Sequence, residues 1–403
     1  MVLFYIPNMN KNFSNFSSVN YIFVLQTTSI LSLFLIYIAQ WTSMITTPSL
    51  RTGTDFIAFY SGGMAAKTYG FSNSYKIELQ QSIQEQLLGF TLAEGQTLLY
   101  NHIPYLLPIL SAVVSENYVA SFLRWTFFML AVYIAGIVIF FRATRNGLNP
   151  ALLIGSLLFF PFFQSILLGQ DTALLFLGVT LWYAGMKREN NWHAVIGLAL
   201  TTVRPHICIA LMIPFIFSHR NAAWKFIITA GVLTLFSMIL IGKNGIFDFI
   251  DILQISAGGT WYGMKESAMF NLIGMLLRVF PNARVELIRE VGWIGYIVGI
   301  FLATAGWHQY KFQLSVKLSI AIIIALFFSP HLHYHDLTLL IIPLVLSAVK
   351  DKDSLTSLIP LGVSLLLLLF NSLFYVLPYF LYISLIWVSL KVGNNPSRLT
   401  NFI

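Results

Sequence analysis

Residues 21–44 read YIFVLQTTSILSLFLIYIAQWTSM, an uncharged run of 24 positions. As a helix it rises about 36 Å, more than the roughly 30 Å of a bilayer's hydrocarbon core. It is too long for the apolar core of a cleavable leader and has no small-residue cleavage site, so a retained first helix is expected. The rest of the chain follows the same composition. Of 403 residues, 57% are hydrophobic and only 9% charged, with a mean hydropathy of +0.78. Soluble domains carry about 25% charged residues. The fold class is therefore an all-α polytopic membrane protein. The aromatic share of 15% fits large interfacial and lipid-facing areas. Cys208 is the single cysteine and lies in an apolar segment, which excludes a disulfide framework. The net charge of +8 reads as cytoplasmic-loop bias and phosphate binding before it reads as nucleic-acid affinity.

Twelve spans are expected. After Tyr21 to Met44 they run Asn117 to Phe141, Leu148 to Gln164, Asp171 to Met186, Trp192 to Val203, Pro205 to Ser218 and Lys225 to Gly242. They continue with Val291 to His308, Val316 to Phe328, Leu337 to Val349, Ser354 to Phe370 and Leu373 to Leu390. Long outer loops with amphipathic interfacial helices are expected over Ile45 to Glu116 and Lys243 to Glu290. Several spans are shorter than the ~20 residues a perpendicular helix needs, which argues for helices that end in a polar internal cavity. Arg142 and Arg145, Lys187 and Arg188, Arg220 and Lys225, Lys311 and Lys317, Lys350 and Lys352, and Lys391 and Arg398 all fall on one side. By the positive-inside rule that side is cytoplasmic, with both termini there. The organisation expected is a module over residues 1–242, an outer loop over 243–290 and C-terminal helices over 291–403.

This topology gathers the polar residues on the outer face. Asp55 follows the first helix and reads either as an N-cap or as a general base. Gln170 and Asp171 open the fourth span, where Asp171 or Thr172 is most simply a cap. Arg204 and His206 flank Pro205 at the turn between two short spans. An arginine there should pair with an acid or bind an anion. Lys265 lies in the second outer loop. The run Ser329-Pro330-His331-Leu332-His333-Tyr334-His335-Asp336 holds three of the eight histidines. Alternate spacing puts those imidazoles on one side only if the run is extended. Anion binding by His331, His333 and His335 is expected ahead of a divalent metal, so no cofactor is expected. One well-placed carboxylate among several cations suits transfer from a phosphate-linked donor, whose leaving group departs as a stable anion.

The order of these features resembles a known family. It comprises Thr54-Asp55-Phe56 and Tyr60 after the first helix, Tyr100 to Pro108, Gly169-Gln170, Gly197 to Pro205, and Ser329 to Asp336. The pattern is similar to the polyprenyl-phosphate-sugar-dependent glycosyltransferases of the GT-C superfamily, and within it to family GT87, the mannosyl- and arabinosyltransferase-like integral membrane proteins. The resemblance implies a seven-helix module with a variable C-terminal part, a polyprenyl-phosphate-linked sugar donor, and inverting transfer on the extracytoplasmic face. It implies Asp55 as catalytic base and a late-loop histidine, His335 or else His333, in handling the donor phosphate. Family members often carry Lys where this chain has Arg204. The usual Tyr-Pro-Pro feature is loosened here to Asn101-His102-Ile103-Pro104.

The expected function is sugar transfer to a glycolipid or glycan hydroxyl at the cell (inner) membrane. Asp55 serves as base, and Arg204, His206, His331, His333, His335, Gln170 and Lys265 serve the donor phosphate and substrate. Expected partners are that donor, its acceptor and the bilayer, not nucleic acid. A lipid-linked-sugar flippase or transporter is the alternative, but it would need polar residues on both faces and no internal repeat is visible. An O-antigen ligase or polymerase is another, and a metal-dependent membrane hydrolase a distant one.

Overall fold

The structure is a computed structural model that describes residues 10–144, 150–259, 261–263, 265–309, 311–350, 358–369 and 375–394. Arg145, Lys352 and Arg398, and the expected span limits Leu148, Ser354, Phe370 and Leu373, lie outside the described residues. Among the described residues there are helices and no strands. Five helical stretches are long and apolar enough to cross a membrane: Tyr21–Thr46, Tyr118–Thr144, Pro150–Leu168, Arg220–Gly258 and Val285–His308. Shorter apolar helices, among them Thr172–Lys187, Pro205–Phe217 and Leu314–Phe328, make up the rest of the bundle. Five of the expected spans thus have a full-length apolar helix, and the short ones fall among the shorter apolar helices.

The first helix presents Phe23, Leu31, Phe34, Leu35 and Ile38 outward and buries only Leu33, Tyr37 and Met44. That is how a helix at the lipid edge of a bundle behaves. At the centre, Thr172–Lys187 packs against Tyr118–Thr144 and Asn191–Leu200. The second of these pairings is close because of glycine. A Cβ on Gly197 would lie 2.2 Å from the backbone nitrogen of Trp182, and one on Gly185 would lie 2.3 Å from that of Ala194. Small residues let helix backbones approach without intervening side chains. The chain then turns through Thr201–Val203, and Pro205 opens the next helix with Arg204 as its cap residue.

Two segments depart from the expected loops. The helix Phe56–Tyr69 buries Phe56 to Gly63, Ala65 and Ala66, so it is a core element rather than a one-sided interfacial helix. Its apolar residues run on all sides with glycine and alanine among them, which suits burial on every face. The second outer loop, expected from Lys243, is instead helical to Gly258. The chain breaks at Gly242, where φ is 63° and ψ −178°, and resumes as a helix in a new direction. Phe249 on that continuation packs on Tyr75, with ring centroids 4.8 Å apart. Asn271 then caps Leu272–Val279 through Gly274 and donates from Nδ2 to the Ser329 carbonyl at 2.7 Å. The Phe270 amide donates to the Leu332 carbonyl at 3.0 Å. These bonds tie the late histidine run to the segment before it.

Candidate active site

A cavity of about 850 Å³ opens where these helix ends meet. Its lining includes Asp55, His102, Gln170, Arg204, His206 and the late-loop residues His331, His333, His335 and Asp336. Leu98, Ile209, Phe249, Leu253, Ile273 and Trp293 line it as well. Polar and apolar side chains share one lining, as in sites that take an amphipathic ligand.

Asp55 occupies the N-cap position of Phe56–Tyr69, yet its side chain makes no cap hydrogen bond. Instead Oδ2 accepts a hydrogen bond from Gln170 Nε2 at 2.7 Å. The helix start that follows still favours a carboxylate there through its dipole. Gln170 sits beside Gly169, whose φ is +74°. A Cβ at Gly169 would lie 2.5 Å from Cβ of Phe56, so only glycine lets this turn come so close to Asp55 and Phe56. Trp125 Nε1 donates to the Gly169 carbonyl at 2.8 Å and holds the turn in place.

Asp171 is also a cap residue without a side-chain cap bond. It is fully buried. Arg204 Nη2 lies 2.8 Å from its Oδ1, and His102 Nδ1 lies 3.1 Å from its Oδ2. Arg204 Nε donates to Asp336 Oδ1 at 3.2 Å. The anion-binding and ion-pairing alternatives for Arg204 thus meet an occupied guanidinium: it stands between two buried carboxylates. Burial opposes charge on Asp171, but Arg204 and then His102 outweigh it and hold the carboxyl below the usual carboxylate range. Burial also opposes charge on Arg204, and Asp171 and Asp336 reverse that, raising its affinity for the proton. His102 Nδ1 also lies 3.2 Å from Arg204 Nη1. Arginine only donates, so this nitrogen either accepts from Arg204 or donates to Asp171, according to where the imidazole proton sits.

The late histidine run bends at Pro330 and His331, is extended at His333, with φ −97° and ψ 170°, and then enters the 3₁₀ turn Tyr334–Leu340. All three of its imidazoles line the cavity. Ring centroids are 4.7 Å apart for His331 and His333, 5.8 Å for His333 and His335, and 6.3 Å for His206 and His331. His206 Nε2 is buried without a hydrogen-bond partner among the described residues. Burial favours neutral His331, with the neighbouring histidines and Arg204 adding to this; burial also favours neutral His333, against the opposing pull of Asp55 and Asp336. Among the described residues no three His, Cys, Asp or Glu side chains converge as metal ligands would.

Seven of the eight residues singled out from the sequence therefore line one cavity. Lys265 does not: its neighbours Gly263 and Glu266 do. Three partners lay outside that set. Asp171 reads as a helix cap, and Asp336 closes the histidine run just before the span expected from Leu337. His102 sits in a segment whose loosened Tyr-Pro-Pro pattern left its role open. The signal that could have found them is the rarity of charge: a buried arginine in so apolar a chain requires acids nearby.

A helical bundle of membrane-crossing segments that encloses a cavity of carboxylate, guanidinium and imidazole defines a membrane enzyme with a shielded polar site. The profile of glycosyltransferase family 87 (GT87) matches residues 99–330, more than half of the chain, and the protein belongs to that family. It is a glycosyltransferase of the membrane, using a sugar donor and an acceptor at the bilayer. No curated protein matches the chain, and no solved structure does.

Proposed function

We propose that this enzyme moves a sugar from a polyprenyl-phosphate donor to a hydroxyl of a glycolipid or glycan, with inversion, on the extracytoplasmic face. Asp55 takes the acceptor proton. The acceptor oxygen bonds to the anomeric carbon as the bond from that carbon to the phosphate oxygen breaks. The electron pair leaves on the phosphate, and a polyprenyl phosphate monoester departs. Imidazole N–H groups of His206, His331, His333 and His335 receive the phosphate, and Arg204, held between Asp171 and Asp336, braces the site beside them. No step calls on a metal.

One observation carries this reading. Asp55 shares a cavity with five imidazoles, and among the described residues the other carboxylates that line it, Asp336 and Glu266, are paired with Arg204 and Arg289, so no second free carboxylate stands there as a glycosidase would need. Asp171 and Asp336 are both engaged by Arg204. The face is supported by the helix ends. Asp171 begins a helix that ends in Lys187, Arg204 begins one that ends next to His219 and Arg220, and the His331 run follows a helix that carries Lys317 near its start. The basic residues lie at the ends away from the cavity, so the positive-inside rule directs the cavity outward.

The test is to incubate purified protein with a panel of polyprenyl-phosphate hexoses and pentoses and measure release of polyprenyl phosphate. With the active donor, Asp55→Asn should lose a factor of about 100 or more in kcat/KM, the scale of general-base removal. Full turnover by a folded Asp55→Asn protein overturns the assignment of the base. Absence of release from every member of the panel overturns the donor.

A further inference from the structure

We propose that Gln170 is a positioning residue for the reaction: anchored by Arg204, it fixes the Asp55 carboxylate in its ionised, proton-accepting orientation. The inference rests on Asp55 as the base. It also gives Arg204 a task other than direct contact with the donor.

The side-chain amide of Gln170 has a different partner at each end. Gln170 Nε2 lies 2.7 Å from Asp55 Oδ2, and Gln170 Oε1 lies 3.3 Å from Arg204 Nη2. A guanidinium has donors only, so it accepts nothing and can face only the carbonyl end of the amide. The amide nitrogen is thereby turned toward Asp55, and its N–H can satisfy only an oxygen that accepts. That is a carboxylate rather than a carboxylic acid with its proton on this oxygen. Arg204 cannot swing away to release Gln170, because Asp171 holds it at 2.8 Å and Asp336 at 3.2 Å. Those acids are 0% and 1% exposed. The turn that carries Gln170 is fixed in turn. Its backbone nitrogen donates to the Ser165 carbonyl at 2.8 Å, Trp125 holds the Gly169 carbonyl, and the side chain of Gln170 is itself buried. An unbroken series of contacts thus runs from the buried acids through Arg204 and Gln170 to Asp55.

Other charged and titratable groups also face this carboxylate. Tyr118 approaches from the start of Tyr118–Thr144. His333 and His335 interact with it from the late loop. His102, Asp171 and Asp336 surround the Arg204 end. Of these, Gln170 is the group with a hydrogen bond to the Asp55 side chain among the described residues.

The experiment compares the full-length enzyme with Gln170→Leu, Gln170→Glu and Asp55→Asn, using the donor that the panel identifies. The readouts are kcat and donor KM, measured separately on the folded protein. Loss of the amide that holds the Asp55 carboxylate should lower the kcat of Gln170→Leu at least about tenfold, with donor KM changed less than about threefold. Gln170→Glu fills the same space and keeps an acceptor toward Arg204, so it decides the matter should Gln170→Leu not fold. It puts an acceptor where Asp55 Oδ2 needs a donor and should lower kcat in the same way. A merely structural residue would lower the yield of folded enzyme and leave the kcat of what folds unchanged. If Asp55→Asn is inactive while both Gln170 variants keep the wild-type kcat, the positioning role is overturned and the base stands. If Asp55→Asn remains active, the base itself falls.

Discussion

Arg204 is a cation whose partners decide its meaning. Alone in the sequence it is an unbalanced charge between two apolar segments, and phosphate binding is a fair expectation. In the fold it lies between Asp171 and Asp336, both inside the protein. Ion pairs of this kind are weak evidence for stability as pairs, yet breaking one from one side leaves a buried charge uncompensated. Arg204→Met leaves two carboxylates facing each other and should cost about 3–5 kcal/mol, read as a large fall in Tm of the detergent-solubilised protein. Asp171→Asn in the same background should recover part of that loss, because it removes one of the two stranded charges. If Arg204→Met keeps its Tm and changes only donor KM, the guanidinium is a phosphate ligand and not a scaffold. The need for acids near Arg204 was readable in the residues. Which acids was not, because Asp171 lies 33 positions earlier in the chain and Asp336 132 positions later, and Asp171 also sits where a helix cap would.

Short elements hold the site, and they were legible to different degrees. Pro205 marked its helix start, and Pro205–Ser218 matches the expected span at both ends. The segment after Gly242 did not show itself as a helix, because Lys243, Asp248 and Asp251 interrupt its apolar residues and a glycine precedes them. Long-range packing supplies the reason for it to line the cavity: Phe249 packs on Tyr75, Ile252 is fully buried, and Ser256 accepts a hydrogen bond from Asn101. The turn at Gly169 is the sharpest case. Gly-Gln-Asp-Thr reads as the approach to a helix, and nothing local says that its backbone must touch Phe56. Gly169→Ala introduces a Cβ at positive φ and 2.5 Å from another Cβ. The strain should cost about 1–3 kcal/mol. Part of it should be relieved by moving Gln170 away from Asp55, so kcat should fall by about tenfold or more while the membrane-spanning helices, followed by circular dichroism, stay intact. A Gly169→Ala enzyme with wild-type kcat would mean that the turn does not transmit its position to Asp55.

At the scale of the whole molecule the decisive quantity is charge. The membrane class was legible from composition alone, since no packing is needed to see that 9% charged residues cannot cover a soluble surface of this size. The convergence of the few charges was legible only as sidedness, because contacts between residues as distant as Gln170 and Asp55 are set by helix packing. Within the cavity and immediately behind it, Asp55, Asp171, Asp336 and Glu266 face Arg204 and Arg289. Carboxylates exceed guanidiniums by two, and burial keeps His331 and His333 below the ordinary imidazole value of 6.5. A phosphate donor therefore enters a site that repels anions unless imidazoles take up protons as it binds. The donor raises the imidazole pKa, so its binding is favoured most below the value of the free enzyme and is lost as pH rises through the value of the complex. Donor KM should consequently rise with pH, by up to about tenfold per unit for each proton taken up, across the range above the free-enzyme values. Calorimetric titration with the active donor in two buffers of different ionisation enthalpy should show net proton uptake. A KM that is flat with pH, together with a buffer-independent binding heat, would remove the histidines from the phosphate and leave them as neutral walls of the cavity.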